Sequence, residues 1–180
     1  MEEALVLLII AGQDFQPVEY GVTKKTIEEA GFNVATASNV FGKAFAEDGT
    51  SAVVDITLDK VVVDNYAGIF FIGGPGALDA LDNSTSYKIA QSAAFQHKPI
   101  GAICIATRIL AKAGVLHDKY ATGWNDDGLL PAVFAENNVH YLPEEQVVVD
   151  GNVITATDPS AAHDFGKHIV EMLQNKQRWG

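Results

Sequence analysis

A single cysteine, Cys104, stands among 180 residues, which excludes an intramolecular disulfide framework. With no Cys-x-x-Cys or His-x-His pair, the spacing that a structural zinc site needs is also missing, and no metal is expected. Positive charge is scarce: 12 lysines and arginines face 23 aspartates and glutamates, for a formal charge of −11. No basic cluster offsets this locally, so nucleic acids and anionic membranes are excluded as partners. A small neutral or anionic metabolite is left as the ligand class. No apolar run approaches the ~20 residues that span a bilayer. The opening MEEALVLLIIAG places acidic residues where a secretory signal carries basic ones, which predicts a cytoplasmic protein. Prolines and glycines fall singly, without repeats, low-complexity stretches or linkers, so residues 1–180 are expected to form one domain.

What is present is alternation. Apolar stretches of strand length at residues 5–10, 32–37, 68–73 and 99–103 are separated by segments of helical spacing. The pattern predicts an α/β fold, a mostly parallel central sheet with helices on both faces. Val18, Val22 and Ala30 form part of an apolar stripe before Gly31, which reads as a helix C-terminal glycine. Phe165, Ile169, Met172 and Leu173 form a cleaner stripe after Pro159, and the polar tail, residues 174–180, reads as a fraying helix end. Between Thr50 and Val63 the pattern suggests a short hairpin or an extra strand. VVVDGNVITA reads as two strands joined by a tight turn at Asp150-Gly151.

In such sheets reactive groups collect at the carboxyl ends of the strands. Three segments meet that description: AGQDFQPVE, GGPGA and the turn that carries Cys104. Ala102 and Ala106 flank Cys104 with the small side chains that a strand-to-helix nucleophile elbow requires. Read without context, Cys104 is equally a buried small hydrophobe, and Glu19 a first-turn helix acid favoured by the dipole. A dinucleotide reading of GGPGALDA fails, because Asp79 occupies the place of the third small residue and the loop does not follow the first strand. No cofactor is expected.

Taken together, GAICIATRILAKAGVLHDKYATGW, FIGGPGA, PVEYGVTKKTIEEAGF and the late VVVDGNVITA resemble the ThiJ/PfpI superfamily over nearly the whole chain. That superfamily includes the parkinsonism-associated protein deglycase, archaeal intracellular peptidases, glyoxalases and isocyanide hydratases. The resemblance implies a three-layer sandwich of the flavodoxin-like, class I glutamine amidotransferase-like kind, and a homodimer or higher homo-oligomer. It makes Cys104 the reactive thiol and Glu19 the acid that touches it, with Glu19 protonated because a carboxylate would repel a thiolate. Gly73-Gly74 matches the family's glycine pair, and the N–H groups of Gly74 and Ile105 would form an oxyanion hole. Trp124 and Pro159 would border the pocket. The helix terminus and a Glu19 donor together predict a Cys104 that titrates below a free thiol.

The sequence also departs from its peptidase and glyoxalase relatives. Ile105 stands where they have histidine, Leu78 where the peptidases recruit a glutamate from a neighbouring subunit, and Trp124 where the deglycase-like branch has its histidine. His97, His117, His140, His163 and His168 match no catalytic position. Asn125, Asp126 and Asp127 could reach the mouth of the pocket but read first as an N-cap and first-turn acids of a helix through Val133; Arg108 could supply positive charge there but reads first as a surface residue. The resemblance thus implies a cysteine-dependent hydrolase, hydratase or glyoxalase/deglycase-type enzyme acting on small electrophilic carbonyl compounds. The alternative is a redox sensor working through a Cys104 sulfinate, and an intracellular peptidase ranks last.

Overall fold

The structure, a computed structural model, describes residues 4–179. Residues 1–3, part of the N-terminal segment discussed above, and Gly180 of the tail lie outside it. The first half of the chain runs β1 (Leu5–Ile10), β2 (Gln13–Phe15), α1 (Pro17–Glu29), β3 (Asn33–Ser38), β4 (Gly42–Ala46), β5 (Ser51–Val54), β6 (Ile56–Thr57), β7 (Gly68–Phe71), α2 (Ala77–Leu81) and α3 (Ser84–Phe95). The second half adds β8 (Ile100–Ile103), α4 (Thr107–Lys112), β9 (Tyr120–Ala121), α5 (Leu130–Glu136), β10 (His140–Tyr141), β11 (Val147–Asp150), β12 (Val153–Ala156) and α6 (Ala162–Trp179).

Seven strands form the central sheet in the order β11-β12-β8-β7-β1-β3-β6, parallel throughout except for the antiparallel β11–β12 hairpin at one edge. β1, β7 and β8 are buried on both faces, which is why they read as unbroken apolar runs instead of alternating ones. One apolar cluster lies on the side of α2 to α5, and the other on the side of α1 and α6. This is the three-layer α/β sandwich. The chain proceeds from β1 outward to β3 and later returns to the other side of β1 with β7. That reversal opens a crevice at the carboxyl ends of β1, β7 and β8, where ligands bind in folds of this kind.

α6 buries Phe165, Ile169 and Leu173, each worth about 1.5–3 kcal/mol of transfer free energy. It packs on α1 through Gly166, where a Cβ would come within 2.9 Å of Thr26 Cβ. The helix includes the polar tail as far as Trp179.

α1 departs from the apolar pattern. Val18 is 47% exposed and Ala30 also faces solvent, while the buried face consists of Glu19, Tyr20, Thr23 and Ile27. Three of those four are polar, so a hydrophobicity pattern cannot find the face. Gly31 does close the helix, at φ +89°. The segment after Thr50 resolves into β5, which pairs antiparallel with β4 in a small side sheet (β2-β4-β5), and β6, which edges the main sheet. The helix expected through Val133 begins only at Leu130, with Asn125 Oδ1 accepting from the Leu130 N–H at 3.0 Å. Among the described residues no helix is long and apolar enough to cross a membrane.

Candidate active site at the switch point of the sheet

Cys104 leaves β8 at φ +62°, a left-handed conformation that a residue with a side chain adopts only under constraint. Its carbonyl supplies that constraint, accepting from Thr107 Oγ1 at 3.0 Å and from the Trp124 N–H at 3.3 Å. The strained turn aims the side chain back over the ends of β7 and β8. There the backbone N–H groups of Ile105 and Gly74 both hydrogen-bond to the sulfur. Gly74 sits at φ +125°, and a Cβ on it would stand 2.5 Å from the Gln16 nitrogen. Only glycine lets this amide approach.

Glu19 arrives from the first turn of α1, and its position is set by Gln16. The Gln16 carboxamide oxygen caps the helix by accepting from the N–H groups of Val18 and Glu19, at 2.6 and 2.9 Å. The Gln16 N–H in turn donates to the Gly73 carbonyl at 3.0 Å, tying the loop after β1 to the loop after β7. With the cap supplied by Gln16, the Glu19 side chain is free to turn inward, where it is fully buried. Its Oε2 accepts from the Gly73 N–H at 2.9 Å. Its Oε1 finds no nitrogen or oxygen partner, and the carboxyl interacts with the Cys104 thiol. Gly73 is the spacer between them: a Cβ there would lie 2.7 Å from both Cys104 Cβ and Glu19 Oε2.

Burial raises the Glu19 pKa from its ordinary 4.5 to about 7; hydrogen bonds from Cys104 and Gly73 oppose this, and the charges of Asp158 and Glu47 add to it. Burial likewise pushes the Cys104 thiol up, and an ionised Glu19 pushes it further, while the Ile105 and Gly74 N–H groups pull it down. The expectation of a thiol below the free value therefore does not hold for Cys104 beside an ionised Glu19. The helix terminus is outweighed by desolvation. The two groups titrate as a coupled pair: protonation of Glu19 removes its repulsion of a thiolate and leaves burial opposed by the two amides.

The sulfur opens into a cavity of about 480 Å³ whose walls include Ile105, Trp124, Pro159, Gly74 and Gln16, with Glu47, Asp126 and Asp158 among its polar groups. The seven residues singled out in the sequence thus meet in one place: Cys104, Ile105, Gly74, Trp124 and Pro159 line the cavity, and Gly73 and Glu19 lie directly behind the sulfur. A groove of about 520 Å³ between the β11–β12 hairpin and α6 holds none of them. Among the described residues no group of three or more histidine, cysteine, aspartate or glutamate side chains is placed to hold a metal ion.

Arg108 is not on the surface. It is 4% exposed, its guanidinium donates to both Asp127 oxygens at 2.6 and 2.9 Å, and it lies 5.6 Å from the Trp124 ring centroid. Sequence reasoning named Arg108 and Asp127 without pairing them; in the structure they brace the tryptophan wall. The one signal available was the spacing: a helical arginine one turn after the elbow, followed by an acidic loop.

The family model for the DJ-1/PfpI family matches residues 4–172. The chain is 28% identical to Deglycase PfpI of Pyrococcus furiosus over 171 residues, covering 93% of this chain and 99% of that one. It is 28% identical to Protein dj-1beta of Drosophila melanogaster over 173 residues, covering 95% and 90% of the two chains. Among solved structures, a ThiJ/PfpI domain protein from Brachyspira murdochii superposes with a TM-score of 0.90 at 26% identity, over 96% of this chain and 98% of that one.

Proposed function

The chain belongs to the DJ-1/PfpI family, and from that premise we propose that it is a cysteine-dependent enzyme of the hydrolase, hydratase or glyoxalase/deglycase type, acting on small electrophilic carbonyl compounds. The observation that carries the reading is the convergence of one thiol, one fully buried carboxyl with a raised pKa, and two backbone N–H groups at the floor of a cavity. The Cys104 sulfur, as thiolate, adds to the carbonyl carbon; the S–C bond forms and the C=O π pair moves onto oxygen. The N–H groups of Gly74 and Ile105 stabilise that developing oxyanion, and Glu19 gives it a proton, leaving a neutral thiohemiacetal and a carboxylate. With a 2-oxoaldehyde, the Glu19 carboxylate then takes the C–H proton of the thiohemiacetal, the enediol is reprotonated at the neighbouring carbon to give a thioester, and water adds to the thioester carbonyl; the S–C bond breaks, a 2-hydroxy acid leaves and the Cys104 thiol is regenerated. Relatives named as deglycases support this class of substrate.

The reading places the protein in the cytoplasm, where reducing conditions keep a lone thiol free. It includes assembly into a homodimer or higher oligomer, for which the exposed Phe41, Phe45 and Val53 of the β4–β5 hairpin offer apolar surface.

The test is a panel of methylglyoxal, small amides, peptides and isocyanides offered to wild type and to Cys104→Ser. Turnover of a small carbonyl compound that disappears in Cys104→Ser supports the reading. A second reading rests on the same donors: Glu19, Gly74 and Ile105 also suit the oxygens of a sulfinate, making Cys104 an oxidant sensor. Under peroxide, intact mass then shows two oxygen atoms gained at Cys104, with no turnover of any member of the panel.

A further inference from the structure

The cavity over Cys104 is electrically one-sided. Glu47, Asp126 and Asp158 all line it, and no lysine or arginine does among the described residues. The arginine of α4 adds no free positive charge, because its guanidinium is engaged by both oxygens of Asp127. Glu47 has one hydrogen bond, from the neutral Gln16 carboxamide at 3.0 Å, so nothing cancels its charge. Burial works against ionisation of Asp158, but the Ser160 hydroxyl and N–H hold its carboxyl below the usual range, which keeps it an anion. Glu47 and Asp126 stand exposed at the mouth and Asp158 is half-buried, and all three share the wall of the same cavity with Cys104.

A cleft lined by one sign of charge concentrates ligands of the opposite sign and repels its own, changing encounter rates by roughly 10- to 1000-fold. Trp124 contributes an aromatic wall, a surface that tolerates cations and has no attraction for carboxylates. Resting on the proposal that Cys104 attacks small electrophiles, we infer that Glu47, Asp126 and Asp158 select those carrying a cationic group, such as an ammonium, and reject those carrying a carboxylate or phosphate. Simple 2-oxo acids are thereby excluded as substrates, and the neutral or anionic ligand class read from composition gives way to neutral and cationic carbonyl compounds, with the cationic ones preferred.

Three methanethiosulfonates that share an ethyl chain and end in trimethylammonium, hydroxyl or sulfonate provide the test. With each, the thiolate attacks the sulfenyl sulfur, a disulfide forms, the S–SO2 bond breaks and methanesulfinate leaves. Rates with Cys104 are read against 2-mercaptoethanol, a neutral thiol with no cleft around it. The ratio of cationic to anionic rate is expected to exceed that of 2-mercaptoethanol by about tenfold or more, and to return toward it in Glu47→Gln/Asp126→Asn and at high salt. In turnover assays an ammonium-bearing aldehyde is expected to exceed glyoxylate in kcat/KM by a similar factor. A hydroxyl reagent that reacts normally while the charged pair shows no preference, or a preference that survives the double variant, overturns the selectivity alone. Failure of the hydroxyl reagent itself overturns the reactive-cysteine reading, and the selectivity falls with it.

Discussion

The backbone N–H of Gly73 donates to Glu19 Oε2 across 2.9 Å, joining the end of β7 to the first turn of α1 through residues 54 apart in the chain. This bond fixes the acid, and the space left by the missing Cβ of Gly73 admits the sulfur beside it. The arrangement has measurable consequences for stability.

Glu19 is fully buried and its pKa stands at about 7 against an ordinary 4.5. The folded state therefore binds the proton more tightly than the unfolded state. Stability is fully present below pH 4.5, falls as pH rises and levels off above about pH 7, by about 3 kcal/mol in all. Glu19→Gln, which cannot ionise, should remove most of this slope. Urea unfolding at pH 4.5, 6 and 8 should show the variant gaining on wild type with each step, and parallel curves would show that Glu19 ionises without cost.

Gly73→Ala places a methyl group 2.7 Å from both Cys104 Cβ and Glu19 Oε2, closer than real Cβ contacts allow. Cys104 Cβ is fixed to the backbone, and Glu19 Oε2, although a chain end, is held by the Gly73 N–H, so the thiol and the carboxyl must separate. The expected cost is about 2 kcal/mol of stability, with a larger relative loss in the rate at which Cys104 reacts with iodoacetamide. A variant as reactive as wild type would mean that the couple is not held by this spacer.

The sheet was legible in the sequence because β1, β7 and β8 are buried on both faces, and such strands must be runs of apolar residues. The β11–β12 hairpin was legible from Asp150-Gly151, and Gly151 does take φ +61° at the turn. β4 was not, because its alternation of Ala44 and Ala46 inward with Lys43 and Phe45 outward uses alanine for the buried side. The inward face of α1 was hidden because Glu19 occupies a core position beside the sulfur with a side chain that pattern reading assigns to solvent. Arg108 was misread by the same logic, since its burial depends on Asp127, 19 residues away, and no local pattern records that pairing.

Arg108 and Asp127 form a pair with unequal exposure, 5% and 30% for the two side chains. Removing the acid strands a buried guanidinium whose Nε already lacks a partner, whereas removing the arginine leaves an aspartate that water can reach. Asp127→Ala should therefore cost more than Arg108→Met, and the double variant should recover part of the loss; about 2 kcal/mol is expected for Asp127→Ala. Trp124 reports the change directly. In a Trp179→Phe background, its emission should shift to the red in Asp127→Ala as the ring loses its brace, and an unchanged spectrum would leave the pair a purely structural contact.

Proteolysis is an activity that the resemblance to intracellular peptidases raises, and the cavity argues against it. An amide leaves only as the amine is protonated, and a positioned acid–base group contributes about 10²–10⁴-fold to such steps. Ile105 follows Cys104 and Trp124 lines the wall, the two places where the sequence resemblance led to an expectation of histidine. The five histidines lie elsewhere: His140 stacks on Tyr120, His117 pairs with Asp118, His168 pairs with Glu171, His163 approaches Thr26, and His97 follows α3. Leu78, at the place where the resemblance implied an intersubunit carboxylate in peptidases, packs against the core. Glu19 alone can protonate an oxyanion beside the sulfur, but it must serve the leaving amine with the same proton, so amide turnover should be slower than carbonyl turnover by at least about a hundredfold. Purified protein is expected to leave casein and chromogenic peptide amides intact over hours in which Cys104 is fully alkylated by iodoacetamide. Peptide cleavage that is abolished by Cys104→Ser would overturn this and would require a histidine from another subunit at the sulfur; Ile105→His should by the same reasoning raise amide turnover from the wild-type baseline.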